Sequence, residues 1–154
     1  MTEFNKSKNS ATNLSKLRGT SYILVISIKD TLSFRNKVLG RYNLPGGTYL
    51  YAGSARASIK GRIMRHLRIA REKKAKPHWH IDYILLHRNA SITDVLTFSG
   101  ISECELSQTI ASSKYSKVPV PGFGSSDCRK GCPAHFFMVS NLKRTISPLR
   151  KFLA

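Results

Sequence analysis

The chain has 154 residues, 41% of them hydrophobic, which favours one globular domain with a buried core and argues against a disordered chain. Lysine and arginine number 26 against 8 acidic residues, so the formal net charge is +18. Such a charge attracts polyanions, and nucleic acid is our first interpretation of the partner, with an anionic membrane surface second. The third interpretation is a basic surface that binds polyanions without specificity. No stretch of roughly 18 apolar residues occurs, which excludes a membrane-spanning helix.

The N-terminal segment is polar, rich in Asn, Ser and Lys, and lacks periodicity. It predicts a flexible basic tail over residues 1–18, ahead of a single domain over residues 19–154. The segment has no apolar core of the kind found in signal peptides. Cys104, Cys128 and Cys132 make an odd number of cysteines, so we expect reduced thiols in a cytoplasmic protein and not a disulfide framework.

Two strands are predicted first along the chain. SYILVISI at 21–28 and TYLYAG at 48–53 are rich in β-branched and aromatic residues, and we expect them to form one hairpin. Residues 29–47 are predicted to be a polar connection that ends in the turn signal LPGG. Because side chains two apart on a strand share a face, Tyr49 and Tyr51 should point the same way.

Residues 58–74 predict a helix, with Ser58 as a plausible N-cap. Its apolar stripe recurs at helical spacing, through Ile59, Ile63, Leu67 and Ala70. Arg62 and His66, one turn apart, fall in or at the edge of this stripe and should lean towards the sheet. Three other arginines should point into solvent: Arg65, Arg68 and Arg71.

The rest of the chain predicts, in order, a helix at 78–86, a strand at 93–98, a helix at 102–113, a Gly/Pro-rich loop at 118–135, a strand at 135–140 and a basic helix at 141–154. These elements do not alternate as regular β-α-β units. We therefore expect a small α+β domain, with an antiparallel sheet flanked by helices, and not a doubly wound fold.

YAGSA at 51–55, followed by RIMRH at 62–66, resembles the second half of the GIY-YIG nuclease superfamily signature. In that superfamily, a strand that ends in Tyr-Ile-Gly precedes a helix carrying an arginine and, four residues on, a histidine or tyrosine. TSY at 20–22 is the better match to the first motif, Gly-Ile-Tyr, so Tyr22 should face Tyr51 across the hairpin. More specifically, the chain resembles the branch called domain of unknown function 123, in stretches spread over residues 19–140: GTYLYAGSA, RIMRHLR, HWHIDYIL, ECEL and GFGSSDC.

The resemblance implies a GIY-YIG-like fold and a metal-dependent endonuclease that hydrolyses phosphodiester bonds in DNA, in repair or processing. Two alternatives stay open: a non-catalytic nucleic-acid-binding module with the same fold, and a nuclease directed to RNA. The basic run at 56–76 holds nine Lys or Arg and one acid, Glu72. Part of it should be a solvated face, and part should track phosphates without reading sequence.

The resemblance also assigns roles to five residues. Tyr22 would orient or deprotonate the attacking water, and Tyr51 would share its hydrogen-bond network. Arg62 would hold the scissile phosphate, and His66 would assist proton transfer or contact the phosphate. Glu103 would bind one Mg²⁺ or Mn²⁺ ion. A phenol can act as a base near neutral pH only if a cation lowers its pKa, and Arg62 is the obvious cation.

Each of these residues has an ordinary structural explanation when taken alone. A strand tyrosine usually packs, an arginine at a helix edge can extend towards solvent, and a histidine on an apolar face is usually a core residue. Glu103 and Glu105 would both suit the start of a helix. The joint spacing of the tyrosines, Arg62 and His66, together with the net charge, favours a phosphate site.

Accessory or substrate-binding roles are predicted for eight positions: Gly53, Arg65, His78, His80, Asp82, Glu105, Ser126 and Asp127. Asp82 is expected to orient a histidine, while Trp79 is expected in the core or as a platform for base stacking. Gly122 and Gly124 would let the backbone of the loop approach a ligand. Cys104, Cys128, Cys132 and His135 could also form a structural zinc site. The competing interpretation is that these cysteines are buried thiols near a turn and bind no metal.

Overall fold

The computed structural model describes residues 17–126 and 128–154. Most of the predicted tail at 1–18 and the candidate residue Asp127 therefore lie outside the described residues. The elements are, in chain order, β1 (Ser21–Asn36), β2 (Gly40–Ser54), α1 (Ile59–Glu72), α2 (His80–Leu85), β3 (Ala90–Phe98), α3 (Glu103–Ala111), β4 (Ser116–Lys117), β5 (Phe136–Val139), α4 (Leu142–Ile146) and a 3₁₀ helix (Ser147–Phe152).

One five-stranded antiparallel sheet organises the fold, with the strand order β3-β1-β2-β5-β4. Alternate residues of the strands face opposite sides, and each side is covered. Tyr22 and Tyr51 belong to a core that also contains apolar residues of α1 and α2, whereas Ile23 and Leu50 belong to a second core with residues of α3 and α4. The predicted α+β class, an antiparallel sheet flanked by helices, is confirmed.

The β1–β2 hairpin is longer than predicted. The expected connection at 29–47 is wrong, because the paired strands run on to Asn36 and resume at Gly40. The turn lies at 37–39, where the Asn36 side chain accepts hydrogen bonds from the backbone N–H groups two and three residues further on. LPGG lies inside β2, opposite a register shift between Ile28 and Thr31 at which Asp30 has φ 62°. The turn signal therefore marks a bulge.

The helices predicted at 58–74, 78–86 and 102–113 form as α1, α2 and α3. Ser58 caps α1 as predicted, because its side chain accepts the Gly61 N–H at 3.0 Å. The predicted basic helix at 141–154 is wrong in its length: α4 ends at Ile146 and a 3₁₀ helix with a proline in its first turn follows. Among the described residues, no helix has both the length and the apolar character that crossing a membrane requires.

Candidate functional site

Tyr22 and Gly53 are directly paired in the β1–β2 hairpin, and the ring of Tyr22 lies over the glycine. A Cβ on Gly53 would stand 2.4 Å from Tyr22 Cζ, so any side chain at this position would force the tyrosine ring or the backbone to shift. Tyr51 is paired with Leu24, so the expectation that Tyr22 faces Tyr51 directly is wrong. The two tyrosines instead lie diagonally on one face of the sheet, in the same core.

His66 of α1 closes over this face of the sheet. Its Nε2 atom lies 2.7 Å from the Tyr22 hydroxyl oxygen, and its ring centroid lies 6.1 Å from that of Tyr51. The His66 side chain is 1% exposed, and its Nδ1 atom has no hydrogen-bond partner among the described residues. Tyr49 shares the face but donates its hydroxyl to the Pro45 carbonyl at 2.6 Å, so its role is structural.

Burial keeps these groups neutral. It raises the pKa of both tyrosines well above the ordinary value, and the nearby Arg62 opposes this effect only in part. The expectation that Arg62 makes Tyr22 a base near neutral pH is therefore not met in this state of the protein. Burial likewise lowers the pKa of His66 to about 4. At neutral pH the Tyr22–His66 pair is an uncharged hydrogen-bonded pair.

Arg62 is held at the edge of the sheet by two contacts. Its Nη1 atom donates to the Ser54 carbonyl at 2.7 Å, and its guanidinium carbon lies 4.6 Å from the centre of the Trp79 ring. A guanidinium has five N–H donors, so this bond orients the group and uses one of them. The Arg62 charge lowers the pKa of Tyr22, Tyr51 and Glu103, so one cation influences all three groups.

Arg65 does not point into solvent, contrary to the prediction. It forms a bidentate ion pair with Asp82, in which Nη1 donates to Oδ1 at 2.9 Å and Nη2 donates to Oδ2 at 3.0 Å, because residues 78–82 fold back over α1. Asp82 also accepts the backbone N–H groups of His78 and Trp79. Although burial alone would raise it, the Arg65 and backbone hydrogen bonds hold the pKa of Asp82 below its ordinary value. Asp82 therefore positions an arginine and the start of α2, and the expectation that it orients a histidine is wrong.

Trp79 positions two arginines, a role different from the core packing or base stacking expected of it. Arg65 lies 4.8 Å from its ring centre, close to the distance of Arg62, so both guanidinium groups pack on one indole. The spacing of the two arginines, three residues apart on one helix, was the available signal. This spacing shows that Arg62 and Arg65 can contact the same residue, but it does not show which segment of the chain packs against the helix there.

His78 and His80 have different surroundings. The His78 ring meets the Trp79 ring edge-on, with centroids 4.6 Å apart. His80 begins α2, and its Nδ1 atom accepts the Gly124 backbone N–H at 2.9 Å. Neither belongs to a group of three or more potential metal ligands among the described residues. His80 instead ties α2 to the loop before β5.

That loop crosses the sheet close to Tyr51. Gly124 has φ +73°, and a Cβ there would lie 3.3 Å from both the Tyr51 ring and His135 Cβ. The close approach expected of this glycine thus occurs against the protein's own side chains. Ser126, two residues on, is exposed.

Glu103 and Glu105 both open α3 but have different roles. Glu105 caps the helix: its Oε2 atom accepts the Ser102 N–H at 2.8 Å, and Ser102 Oγ accepts the Glu105 N–H at 3.1 Å. Glu103 Oε2 lies 3.7 Å from His135 Nδ1, and its side chain is 29% exposed. Burial raises the pKa of Glu103, while Arg62 opposes the shift. Glu103 and Asp82 are thus two acids whose charges act on both tyrosines. Asp82 is paired with Arg65, whereas the charge of Arg62 acts on Glu103.

Four residues beside Glu103 could hold a metal ion. Their potential ligand atoms all lie within 4.8 Å of one another, and we name them the Cys₃His cluster: Cys104, Cys128, Cys132 and His135. All three cysteines are free, and the sulfur atoms of Cys104 and Cys128 are 3.4 Å apart. No other group of three or more such ligands occurs in the described part of the chain.

The model of one protein family, described as domain of unknown function DUF123, matches residues 21–154. The match covers the sheet, all the helices and the site, and it begins at the first residue of β1. No curated protein and no solved structure matches the chain.

Proposed function

The chain belongs to the family of the domain of unknown function DUF123, and we propose that it is a GIY-YIG-type, metal-dependent endonuclease acting on DNA in repair or processing. The observation that carries this proposal is that the charge of Arg62 acts on Tyr22, Tyr51 and Glu103, while Tyr22 forms an uncharged hydrogen-bonded pair with His66. Phosphodiester hydrolysis needs a cation for the developing phosphorane charge and a group that positions water.

In the proposed mechanism, Arg62 binds the scissile phosphate and stabilises the charge that develops on its oxygens. The Ser54 carbonyl and Trp79 fix the guanidinium before the substrate arrives, so little reorganisation is needed. Tyr22 remains protonated and hydrogen-bonds the attacking water through its hydroxyl. The proton of that water passes to solvent as the new P–O bond forms and the P–O bond to the leaving oxygen breaks. His66 holds that hydroxyl in place from the buried side.

Glu103 would hold the Mg²⁺ or Mn²⁺ ion of this reaction. A half-buried carboxylate fits such an ion, since Mg²⁺ is commonly bound by one or two carboxylates, waters and substrate phosphates. The bound ion would supply Lewis-acid stabilisation of the phosphate. The burial that raises the pKa of Glu103 would be offset by the charge of the ion.

The proposal is tested by cleavage of labelled DNAs and RNAs, in duplex, single-stranded, flap and branched forms, with Mg²⁺ or Mn²⁺. We expect Arg62→Ala to lower cleavage about 10²- to 10³-fold, because one preorganised cation is lost. Binding should weaken only slightly, since the chain has 26 Lys and Arg residues and the others would still attract the phosphates. Arg68→Ala is the matched control: Arg68 is exposed on the same helix, and its loss should leave cleavage intact. Equal losses of binding and cleavage in Arg62→Ala would contradict the catalytic role.

Glu103 can be tested against its neighbour on α3. Glu103→Gln should abolish metal-dependent cleavage, because it removes the charge without changing the size of the side chain. Glu105→Gln should retain cleavage, since glutamine preserves the capping arrangement with Ser102. Loss of cleavage in both variants would indicate that α3 as a whole has been disturbed.

A non-catalytic nucleic-acid-binding module is the second candidate. The observation that favours it is the neutral state of Tyr22 and His66, since neither is a strong base in this state. Tight binding of the labelled substrates with no cleavage by the wild type, in either metal, would support this alternative. Cleavage confined to the RNAs would instead identify an RNA-directed nuclease.

A further inference from the structure

We propose that the Cys₃His cluster is a structural zinc site, and that Glu103 positions its histidine. Cys104 comes from the first turn of α3, and the other ligands come from the loop before β5. Zinc at this point would therefore join the start of a helix to a loop. The four proposed zinc ligands take no part in the nuclease mechanism. Glu103 is the one residue that the zinc site shares with that mechanism, so the zinc site is tested by metal content and not by cleavage.

The donor atoms select the metal. Three thiolates and one imidazole are soft or borderline ligands, which suit Zn²⁺ and disfavour Mg²⁺ or Mn²⁺. A tetrahedral site with Zn–S bonds of about 2.3 Å separates its sulfur atoms by about 3.8 Å. The Cys104 and Cys128 sulfur atoms are 3.4 Å apart, and all four ligand atoms lie within 4.8 Å of one another. Small side-chain adjustments would close the site around one ion.

His135 supplies the second, independent observation. Its side chain is 3% exposed, and neither ring nitrogen has a hydrogen-bond partner among the described residues. A buried polar atom without a partner costs about 1–3 kcal/mol, and a bound metal ion would remove this cost for one of the two ring nitrogens. We assign Nε2 to the metal.

The other nitrogen, Nδ1, then faces Glu103. The carboxylate oxygen Oε2 lies 3.7 Å from it, so a shift of less than about 1 Å forms a hydrogen bond of ordinary length. Carboxylates commonly accept the second N–H of a zinc-bound histidine, fixing its tautomer and orientation. Glu103 thus contacts the metal site on one side and shares the surroundings of Arg62 and the tyrosines on the other.

Four protein ligands leave no open coordination position, so the role of the zinc is structural. The ion would hold the loop in which Gly124 passes over Tyr51 and donates to His80. Loss of the metal should therefore make this loop more mobile and weaken its packing against Tyr51.

The test is the metal content of the full chain, purified with a reductant and dialysed against a weak chelator. We expect one zinc per chain in the wild type and no bound zinc in Cys132→Ser or His135→Asn, while Ser126→Ala, an exposed change in the same loop, keeps its zinc. Cobalt substituted into the wild type should give sulfur-to-cobalt charge transfer and intense tetrahedral d–d bands. Glu103→Gln should retain the ion with about 10- to 100-fold weaker affinity.

Several results would overturn the inference. A reduced wild type without zinc, whose cobalt spectrum is that of the hydrated ion, would show that the cluster binds no such metal. An oxidised pair of Cys104 and Cys128, detected by mass in protein kept with reductant, would identify a disulfide instead. The wild type also gives a readout that needs no variant to fold: zinc added to the metal-free protein should raise its melting temperature, and magnesium should not. None of these measurements depends on nuclease activity.

Discussion

Acidification should destabilise the protein through His66. The residue is 1% exposed, and burial lowers its pKa from the ordinary 6.5 to about 4, with Asp82 opposing the shift in part. The unfolded chain therefore binds a proton on this residue below about pH 6.5, whereas the folded protein does so only near pH 4. The stability associated with neutral burial is fully present above the upper value and is lost as the pH falls through this window.

The size of the effect follows from the width of that window. Each pH unit between the two pKa values removes up to about 1.4 kcal/mol of unfolding free energy, so the whole window removes about 3 kcal/mol. That loss is a large fraction of the stability of an ordinary domain, which is about 5–15 kcal/mol. His87 also has a pKa lowered by burial, and it adds to the loss in the same direction.

Urea denaturation at a series of pH values isolates the contribution of His66. His66→Gln removes the titrating group, so its unfolding free energy should fall less steeply between about pH 6.5 and pH 4 than that of the wild type at equal metal content. Met64→Gln, a change at an exposed residue of the same helix that carries no titratable group, is the control and should keep the slope of the wild type. Parallel curves for the wild type and His66→Gln would refute the reasoning.

Gly53→Ala should lower the unfolding free energy by about 1–3 kcal/mol and weaken cleavage, because the new Cβ would stand 2.4 Å from Tyr22 Cζ and displace the ring. Urea midpoints and cleavage rates measure the two effects, and an unchanged urea midpoint would contradict the close approach. Lys73→Met should destabilise the protein by about 1–3 kcal/mol per carbonyl left unpaired, since Lys73 Nζ donates to two backbone carbonyls at 2.9 and 2.6 Å; a stability equal to that of the wild type would show that water replaces it. Arg35 and Arg41 are paired across the end of the β1–β2 hairpin, so Arg35→Ala should relieve a repulsion worth about 0.2–1 kcal/mol. The same change should make DNA binding less salt-dependent, by about one unit of slope for each phosphate that the side chain had neutralised. An unchanged slope in anisotropy titrations would show that Arg35 does not contact the DNA.

Local pattern was sufficient for much of the fold. The strands at 21–28 and 48–53 are rich in β-branched and aromatic residues, and the helix at 58–74 has apolar residues at helical spacing and a Ser58 cap. These preferences act over a few residues, so they can be read without knowing the neighbours. A local pattern that is compatible with two structures gave a wrong prediction: LPGG is typical of a turn, but here it lies at a bulge within a long hairpin.

The sequence by itself also determined the composition of the site: a basic chain with few acids, two strand tyrosines, and Arg62 and His66 one helical turn apart. Tertiary structure decided the arrangement. It paired Tyr22 with Gly53, turned Arg65 from solvent towards Asp82, and brought Cys128 to within 3.4 Å of Cys104. These contacts join residues many positions apart, and strand register and the packing of loops on helices fix them; no local preference encodes the distance between two such atoms.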